Sequence, residues 1–310
     1  MSNAFVFPGQ GAQTIGMGRA LADAYPASRA VFEEVDDALG ESLSALIWEG
    51  DQDTLTLTEN AQPALMATSM AAMRALEAEG IGIERADYVA GHSLGEYSAL
   101  CAAGVFSVAD TARLLRTRGR AMQEAVPVGV GAMAAVLGLD FQAVTEVAEE
   151  AAEGEVCQVA NDNDPGQVVV SGHKAAVERA CEIAKGRGAK RALLLPVSAP
   201  FHCALMEPAA EAMKEALAGV EMKAPAVPVF TNVRAAEESD PLVLRGLLVK
   251  QVTGVVRWRE SVLHMAGWDA GEMWEIGAGK ALSGMIRRIN RDVLTRAIGT
   301  PKDIETVLAQ

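Results

Sequence analysis

The stretch Tyr88-Val89-Ala90-Gly91-His92-Ser93-Leu94-Gly95-Glu96-Tyr97 constrains the fold of this chain more than any other. It reads as a short apolar strand ending in Gly-x-Ser-x-Gly, followed at once by an Ala- and Leu-rich helix over 97–103. A strand that turns into a helix this sharply holds the central Ser in a strained backbone conformation. Glycines two residues to either side let the flanking segments pass without Cβ clashes. The Ser93 hydroxyl is then exposed above the N terminus of the next helix. Unpaired N–H groups there, that of Leu94 first among them, face any negative charge developing on an attacked carbonyl. Gly-x-Ser-x-Gly also occurs in ordinary loops, but the strand before it and the helix after it select the reading of Ser93 as a nucleophile.

The rest of the chain supplies a sheet for that turn. Ala4-Phe5-Val6-Phe7 is an apolar strand ended by Pro8-Gly9-Gln10-Gly11. This turn either brings a backbone N–H close to a substrate or is a plain tight turn, and it is too short for a nucleotide fingerprint. Helical spacing covers 17–24, 27–39, 62–79 and 108–123, and the order strand, helices, strand, helix implies a parallel sheet covered on both faces. From about Val128 the pattern changes to strand 131–137, helix 141–152, strand 156–160, strand 167–171, helix 174–186 and strand 191–195. That β-α-β-β-α-β order is the split βαβ arrangement of ferredoxin-like domains. With 310 residues and Pro/Gly punctuation at Pro127, Gly129 and Pro196, the expected organisation is an α/β-hydrolase-like large domain (1–127 and 198–310) with an inserted ferredoxin-like small domain (128–197) and a cleft between them. Later strands are expected at 227–230 and 273–276, with helices over 205–218 and 260–266. The second strand runs into Gly277-Ala278-Gly279-Lys280, a turn that resembles half of a phosphate loop without its hydroxyl residue; an ordinary helix start is the favoured reading.

Composition removes several function classes. A net charge of −14 argues against nucleic-acid binding, which needs a basic face. Four cysteines without C-x-x-C pairing suggest neither a zinc site nor a disulfide framework, and reduced thiols fit the cytoplasm. No apolar run reaches the ~18 residues needed to span a bilayer, and the N terminus lacks a signal-peptide pattern.

A serine nucleophile needs a base, and the chain offers four histidines. His92 adjoins Ser93, and neighbouring residues at a strand end point to opposite faces. His173 falls in a small-domain turn and His264 in a helical pattern. His202, in the loop where the chain re-enters the large domain, is the expected base. No Asp or Glu between Ser93 and His202 stands out as its partner, so a backbone carbonyl is a candidate for holding the ring. A weaker triad of this kind suits an acyl-enzyme that waits for a thiol and not for water.

Taken together, these residues resemble the malonyl-CoA:acyl-carrier-protein transacylase family over nearly the whole chain. The motifs are Phe5-Val6-Phe7-Pro8-Gly9-Gln10-Gly11, Gly91-His92-Ser93-Leu94-Gly95-Glu96-Tyr97 and Arg118-Gly119-Arg120-Ala121-Met122-Gln123, then Asn161-x-Asn163-x-Pro165-Gly166-Gln167, the Phe201-His202 loop and Glu275-Ile276-Gly277-x-Gly279-Lys280. The resemblance implies that Ser93 is malonylated from malonyl-CoA and then discharged onto the phosphopantetheine thiol of holo acyl carrier protein, with His202 moving the proton. It implies an oxyanion hole from the N–H groups of Gln10 and Leu94, a malonyl carboxylate held by Arg118, and His202 oriented by the main-chain carbonyl of Gln251. Phe201 resembles the malonyl-selective pattern of related acyltransferases, where a bulky ring excludes an α-methyl branch. A cytoplasmic, monomeric enzyme of fatty-acid biosynthesis is implied, with no cofactor, no metal, no nucleic acid and no membrane. Asp164 departs from the pattern, since a small residue is usual there. Carrier proteins are acidic, so Lys190, Arg191, Arg287 and Arg288 are candidates for a basic docking patch, or simply solvated charges. A serine hydrolase or thioesterase with the same elbow is the competing enzyme reading, and a non-catalytic carrier-binding module a third.

Overall fold

The computed structural model describes residues 2–268 and 270–309, so the expected domain limits at 1 and 310 lie outside the described residues. β1 (Ser2–Phe7) is followed by α1 (Arg19–Ala24), α2 (Pro26–Leu39), α3 (Leu43–Glu49), α4 (Gln52–Thr56) and the long α5 (Thr58–Ala78). Next come β2 (Tyr88–Gly91), α6 (Gly95–Ala102) and α7 (Val108–Glu124). The small sheet's segment holds β3 (Gly131–Leu137), α8 (Phe141–Ala152), β4 (Cys157–Asp164), β5 (Gln167–His173), α9 (Lys174–Gly186) and β6 (Arg191–Leu194). The chain closes with α10 (Glu207–Ala218), β7 (Val229–Thr231), β8 (Ala236–Glu238), α11 (Pro241–Thr253), α12 (Trp258–Gly267), β9 (Ala270–Ile276), α13 (Ala281–Ile289), β10 (Leu294–Ile298) and α14 (Pro301–Leu308).

Six strands form one sheet in the order β10-β9-β1-β2-β7-β8, parallel throughout except that β8 pairs antiparallel with β7. In β1 the alternation of a strand sends Phe5 and Phe7 into the core on one face and Ala4 and Val6 into the core on the other. Burial on both faces explains why this strand is uniformly apolar. β2 lies inside the sheet, so the turn at Ser93 opens at the carboxyl end of a central parallel strand, where open α/β sheets bind ligands.

The second sheet runs β4-β5-β3-β6, antiparallel, with α8 and α9 on one face around Val136, Val144, Val170 and Val177. This is the expected ferredoxin-like arrangement. β4 is longer than the expected 156–160 and takes in the polar run Asn161-Asp162-Asn163-Asp164, with register shifts between Val159 and Asn161 and between Asp162 and Asp164. Polar residues are accepted there because each meets the large domain. Asn161 bridges to Val256, both Asp162 oxygens accept from Arg259 Nε at 3.0 Å, Asn163 meets His92, and Asp164 accepts from Arg288 at 2.8 Å. Asp164, the departure from the family pattern, also accepts from the Gly166 N–H at 3.0 Å and so closes the β4–β5 turn.

α5 begins at Thr58, four residues before the spacing suggests, and carries Pro63 inside it. Proline has no N–H to give to the carbonyl four residues back. Arg116 from α7 fills that vacancy, donating from Nη1 to Glu59 O at 2.8 Å. Beside it Gly119 brings α7 against α5 so closely that a Cβ would sit 2.5 Å from Glu59 Cα. This close crossing carries Arg118 inward.

The two elbow glycines are required by space. A Cβ on Gly91 would fall 1.9 Å from Gly95 C and O, and one on Gly95 would fall 2.2 Å from Phe7 O. Backbone cannot yield as a flexible side chain does, so Gly91→Ala is expected to destabilise the fold by about 3 kcal/mol or more. A thermal unfolding midpoint equal to that of the unchanged protein would refute this.

Candidate active site

Ser93 has φ 55°, the left-handed region that non-glycine residues rarely enter. Asn232, just after β7, holds it there: its Oδ1 accepts from Ser93 N–H at 2.8 Å and its Nδ2 donates to Gly91 O at 2.6 Å. The strain is thus stored by side-chain hydrogen bonds to both ends of the turn. Ser93 Oγ lies 2.7 Å from His202 Nε2. His202 is itself at φ 58° and buried.

Its Nδ1 meets the backbone carbonyl of Gln251 at 2.8 Å. A carbonyl only accepts, so Nδ1 carries the proton and Nε2 is free to accept from the serine. Burial, then the nearby Arg118 charge, pushes His202 down to about 3, leaving the imidazole neutral near pH 7. The other histidines are engaged elsewhere. The His92 ring is 2.8 Å from Asn163 Oδ1, His173 Nδ1 accepts from Val156 N–H at 2.9 Å, and His264 Nδ1 meets Ala235 O at 2.6 Å.

Arg118 is 1 % exposed, so it does not belong to a solvated helix face. Nη1 donates to Gln62 Oε1 at 2.7 Å, while Nη2 donates to Gln251 Oε1 at 2.9 Å and to Ser93 Oγ at 3.2 Å. Its guanidinium stands 5.6 Å from the Tyr97 ring centroid. Burial lowers the Arg118 pKa, and the Tyr97 and Glu96 environment opposes that. The guanidinium is expected to remain a cation. Among the described residues no carboxylate lies within ion-pair distance of it.

These groups open on a cavity of about 410 Å³ between the two sheets, lined by Gln10, Ser93, Arg118 and Phe201 together with Met133 and Asn161 from β3 and β4. The backbone N–H groups of Gln10 and Leu94 find no acceptor among the described residues. The Gln10 side chain is fixed, accepting from Thr58 Oγ1 at 3.0 Å. All seven expected residues, Ser93, His202, Gln10, Leu94, Arg118, Gln251 and Phe201, therefore lie in or against one cleft.

Sequence reasoning missed Asn232, Gln62 and Glu96. The Glu96 carboxyl is buried beneath the elbow, accepting from Asn232 N–H at 3.0 Å and Gln251 Nε2 at 2.9 Å. A Glu immediately after Gly-x-Ser-x-Gly, in a helix otherwise uncharged, is the one signal that pointed to it. The half phosphate loop has a structural explanation: the buried Glu275 carboxylate accepts from Leu282 and Ser283 N–H at 3.0 and 2.7 Å, so the α13 N terminus already holds the chain's own anion. Of the candidate docking cations, Arg288 is paired with Asp164, and Arg287 donates from Nε to Thr295 Oγ1 at 2.8 Å. Among the described residues no cluster of His, Cys, Asp and Glu could hold a metal ion, and no helix is long and apolar enough to cross a membrane.

A strained serine at the mouth of a parallel sheet, with an antiparallel α/β unit roofing it, defines an α/β-hydrolase-like enzyme with an inserted ferredoxin-like domain. The chain belongs to the acyl transferase domain family, which matches residues 4–277, and within it to the malonyl CoA-acyl carrier protein transacylases. It is similar to the malonyl CoA-acyl carrier protein transacylase of Bacillus subtilis, 47% identical over 306 residues, covering 98% of this chain and 96% of that one. Its fold superposes on the crystal structure of the acyl-carrier-protein S-malonyltransferase from Bartonella henselae with a TM-score of 0.98 at 58% identity, covering 100% of this chain and 99% of that one. A malonyl-transacylase solved in complex with its type II PKS acyl-carrier protein gives a TM-score of 0.96 at 43% identity, covering 100% and 99%.

Proposed function

We propose that the protein transfers the malonyl group from malonyl-CoA to the phosphopantetheine thiol of holo acyl carrier protein through a malonyl-Ser93 ester, supplying fatty-acid biosynthesis. The observation that carries this reading is a buried guanidinium 3.2 Å from the nucleophilic oxygen. A cation placed there demands an acyl group with a negative charge close to its carbonyl, and the planar fork of Arg118 suits a carboxylate.

In the first half-reaction Ser93 Oγ attacks the thioester carbonyl while His202 Nε2 takes its proton. The oxyanion is met by the N–H groups of Gln10 and Leu94. The C–S bond breaks, and the proton passes from His202 to the CoA sulfur. The second half-reaction is the reverse, with the carrier thiol attacking the ester. The Gln251 carbonyl orients His202 where hydrolases use a carboxylate, and burial, then the neighbouring Arg118 charge, disfavours imidazolium. Phe201 lines the same cavity as Ser93, and its ring is the group we assign to excluding a branched acyl chain.

Nucleophilic exchange of thioester for ester asks for no cofactor and no metal. The site as assigned is complete within one chain, so a monomer suffices for the reaction, and four unpaired thiols fit the cytoplasm. We assign residues 1–127 and 198–310 to the domain that bears the nucleophile and 128–197 to the one that roofs the cleft. Initial rates measured against malonyl-CoA at several holo carrier concentrations test the mechanism. Parallel double-reciprocal lines are expected, and intersecting lines would mean that both substrates bind before any transfer.

A further inference from the structure

One buried carboxyl directly beneath the nucleophile takes no part in the proposed transfer. Glu96 is fully buried on α6, and its Oε1 finds no hydrogen-bond partner among the described residues, while Oε2 accepts from Asn232 and Gln251. The Gln251 amide is shared between two opposite charges: its Nε2 donates to Glu96 at 2.9 Å, and its Oε1 accepts from Arg118 at 2.9 Å. The same residue's carbonyl holds His202. The carboxyl is therefore one amide away from the cation expected to receive the substrate's own carboxylate.

We propose that Glu96 is a positioning residue: it is the resident counter-charge of Arg118 in the empty site, relayed through the Gln251 amide, and it takes up one proton from solvent when a substrate carboxylate arrives on the guanidinium. The inference rests on the reading of Arg118 as the carboxylate binder. Its physical basis is that two anions sharing one cation in a water-poor site cannot both stay ionised at little cost. Losing one charge leaves a single balanced pair, Arg118 and the substrate carboxylate, with the Gln251 amide still linking Arg118 to the now neutral Glu96.

The groups around the carboxyl fit this role. Arg118 faces it from α7, and the Tyr97 phenol adjoins it on α6 with its own ionisation suppressed by burial. Asn232 and Gln251 contribute neutral amides from beyond β7 and from α11, His202 lies past Gln251, and His92 at the end of β2 turns its ring to Asn163. Burial raises Glu96 to about 7, while the Asn232 and Gln251 hydrogen bonds and the Arg118 charge hold it from rising further. When a bound carboxylate cancels the Arg118 charge, that restraint is lost and protonation follows. The direction is fixed by linkage: malonyl binds the protonated form better, so its affinity falls as pH rises through about 7, by up to tenfold per pH unit.

Acylation itself is proton-neutral, because the Ser93 proton ends on the CoA sulfur, so any proton drawn from solvent reports the carboxyl. The test mixes the protein with malonyl-CoA or acetyl-CoA in weak buffer at pH 7.5 with a pH indicator, and intact mass of the same sample counts the adduct. Uptake of up to about three-quarters of a proton per malonyl adduct, the share of Glu96 still ionised at this pH, and none per acetyl adduct, is expected. In Glu96→Gln a malonyl adduct without uptake is expected, together with a KM for malonyl-CoA that no longer rises above pH 7. An Arg118-dependent malonyl adduct with no proton uptake overturns this inference and leaves the function standing. An adduct indifferent to Arg118→Ala overturns the reading of Arg118 itself. If Glu96→Gln does not fold, the comparison of malonyl with acetyl in the unchanged protein still decides.

Discussion

Replacing Ser93 by Ala is expected to lower malonyl transfer to holo carrier protein by about 10^4-fold or more. The size follows from what is lost together. Ser93 Oγ is the oxygen that His202 Nε2 reaches at 2.7 Å, and it is the atom that the strained turn, the Asn232 clamp and the helix start all serve. With alanine there, His202 has no proton to remove and the Gln10 and Leu94 N–H groups have no oxyanion to meet. Binding of malonyl-CoA should persist, because Arg118 and the cavity walls are intact. Steady-state transfer rates check this, and a variant within tenfold of the unchanged protein would show that the nucleophile lies elsewhere.

Arg118→Ala is the second large effect, and it is selective. Transfer of malonyl should weaken by about 3–5 kcal/mol in kcat/KM, a factor from ~10^2 to a few thousand. A carboxylate desolvated in the cleft then has no cation, and Gln62 Oε1 and Gln251 Oε1 each lose the donor they now accept from at 2.7 and 2.9 Å. Acetyl transfer should be spared or improved, since an uncharged acyl group gains nothing from a buried guanidinium and the smaller side chain leaves space. The ratio of the two kcat/KM values separates this from general damage. Equal losses for both acyl groups would remove Arg118 from the role assigned to it.

Much of this architecture was legible in the residues, and the legible parts share a cause. Around Ser93 the backbone geometry admits few sequences, so Gly91 and Gly95 announce the turn. In the small domain, strand 131–137 and helices 141–152 and 174–186 have the boundaries read from spacing alone, because a glycine at or within three residues of each end stops the amphipathic run. The second half of β4 was not legible. An Asn-Asp-Asn-Asp run argues against a strand until Arg259, Arg288 and His92 are seen to partner it. α11 was missed for the opposite reason, since leucine and valine surround it and leave no clear stripe to read.

Within the site, Ser93 and His202 followed from chemistry, the second by elimination among four histidines. Arg118 and Gln251 did not. One of four arginines on a helix looks solvated until Gly119 and Pro63 draw α7 and α5 together, and a glutamine that acts through its carbonyl leaves no side-chain signature. Asn232 and Glu96 lie far apart in sequence and meet only beneath the elbow, at 3.0 Å. Glu96 has only its place after the Gly-x-Ser-x-Gly turn to mark it, and Asn232 is recognised only once its burial is known.

Intact mass measurement of the protein mixed with malonyl-CoA, then freed of it and divided between buffer and holo acyl carrier protein, tests the central claim most directly. The account predicts a malonyl adduct on Ser93 that persists in buffer and is discharged quantitatively onto the carrier. An adduct that decays equally fast without the carrier would contradict it and assign the site to a hydrolase.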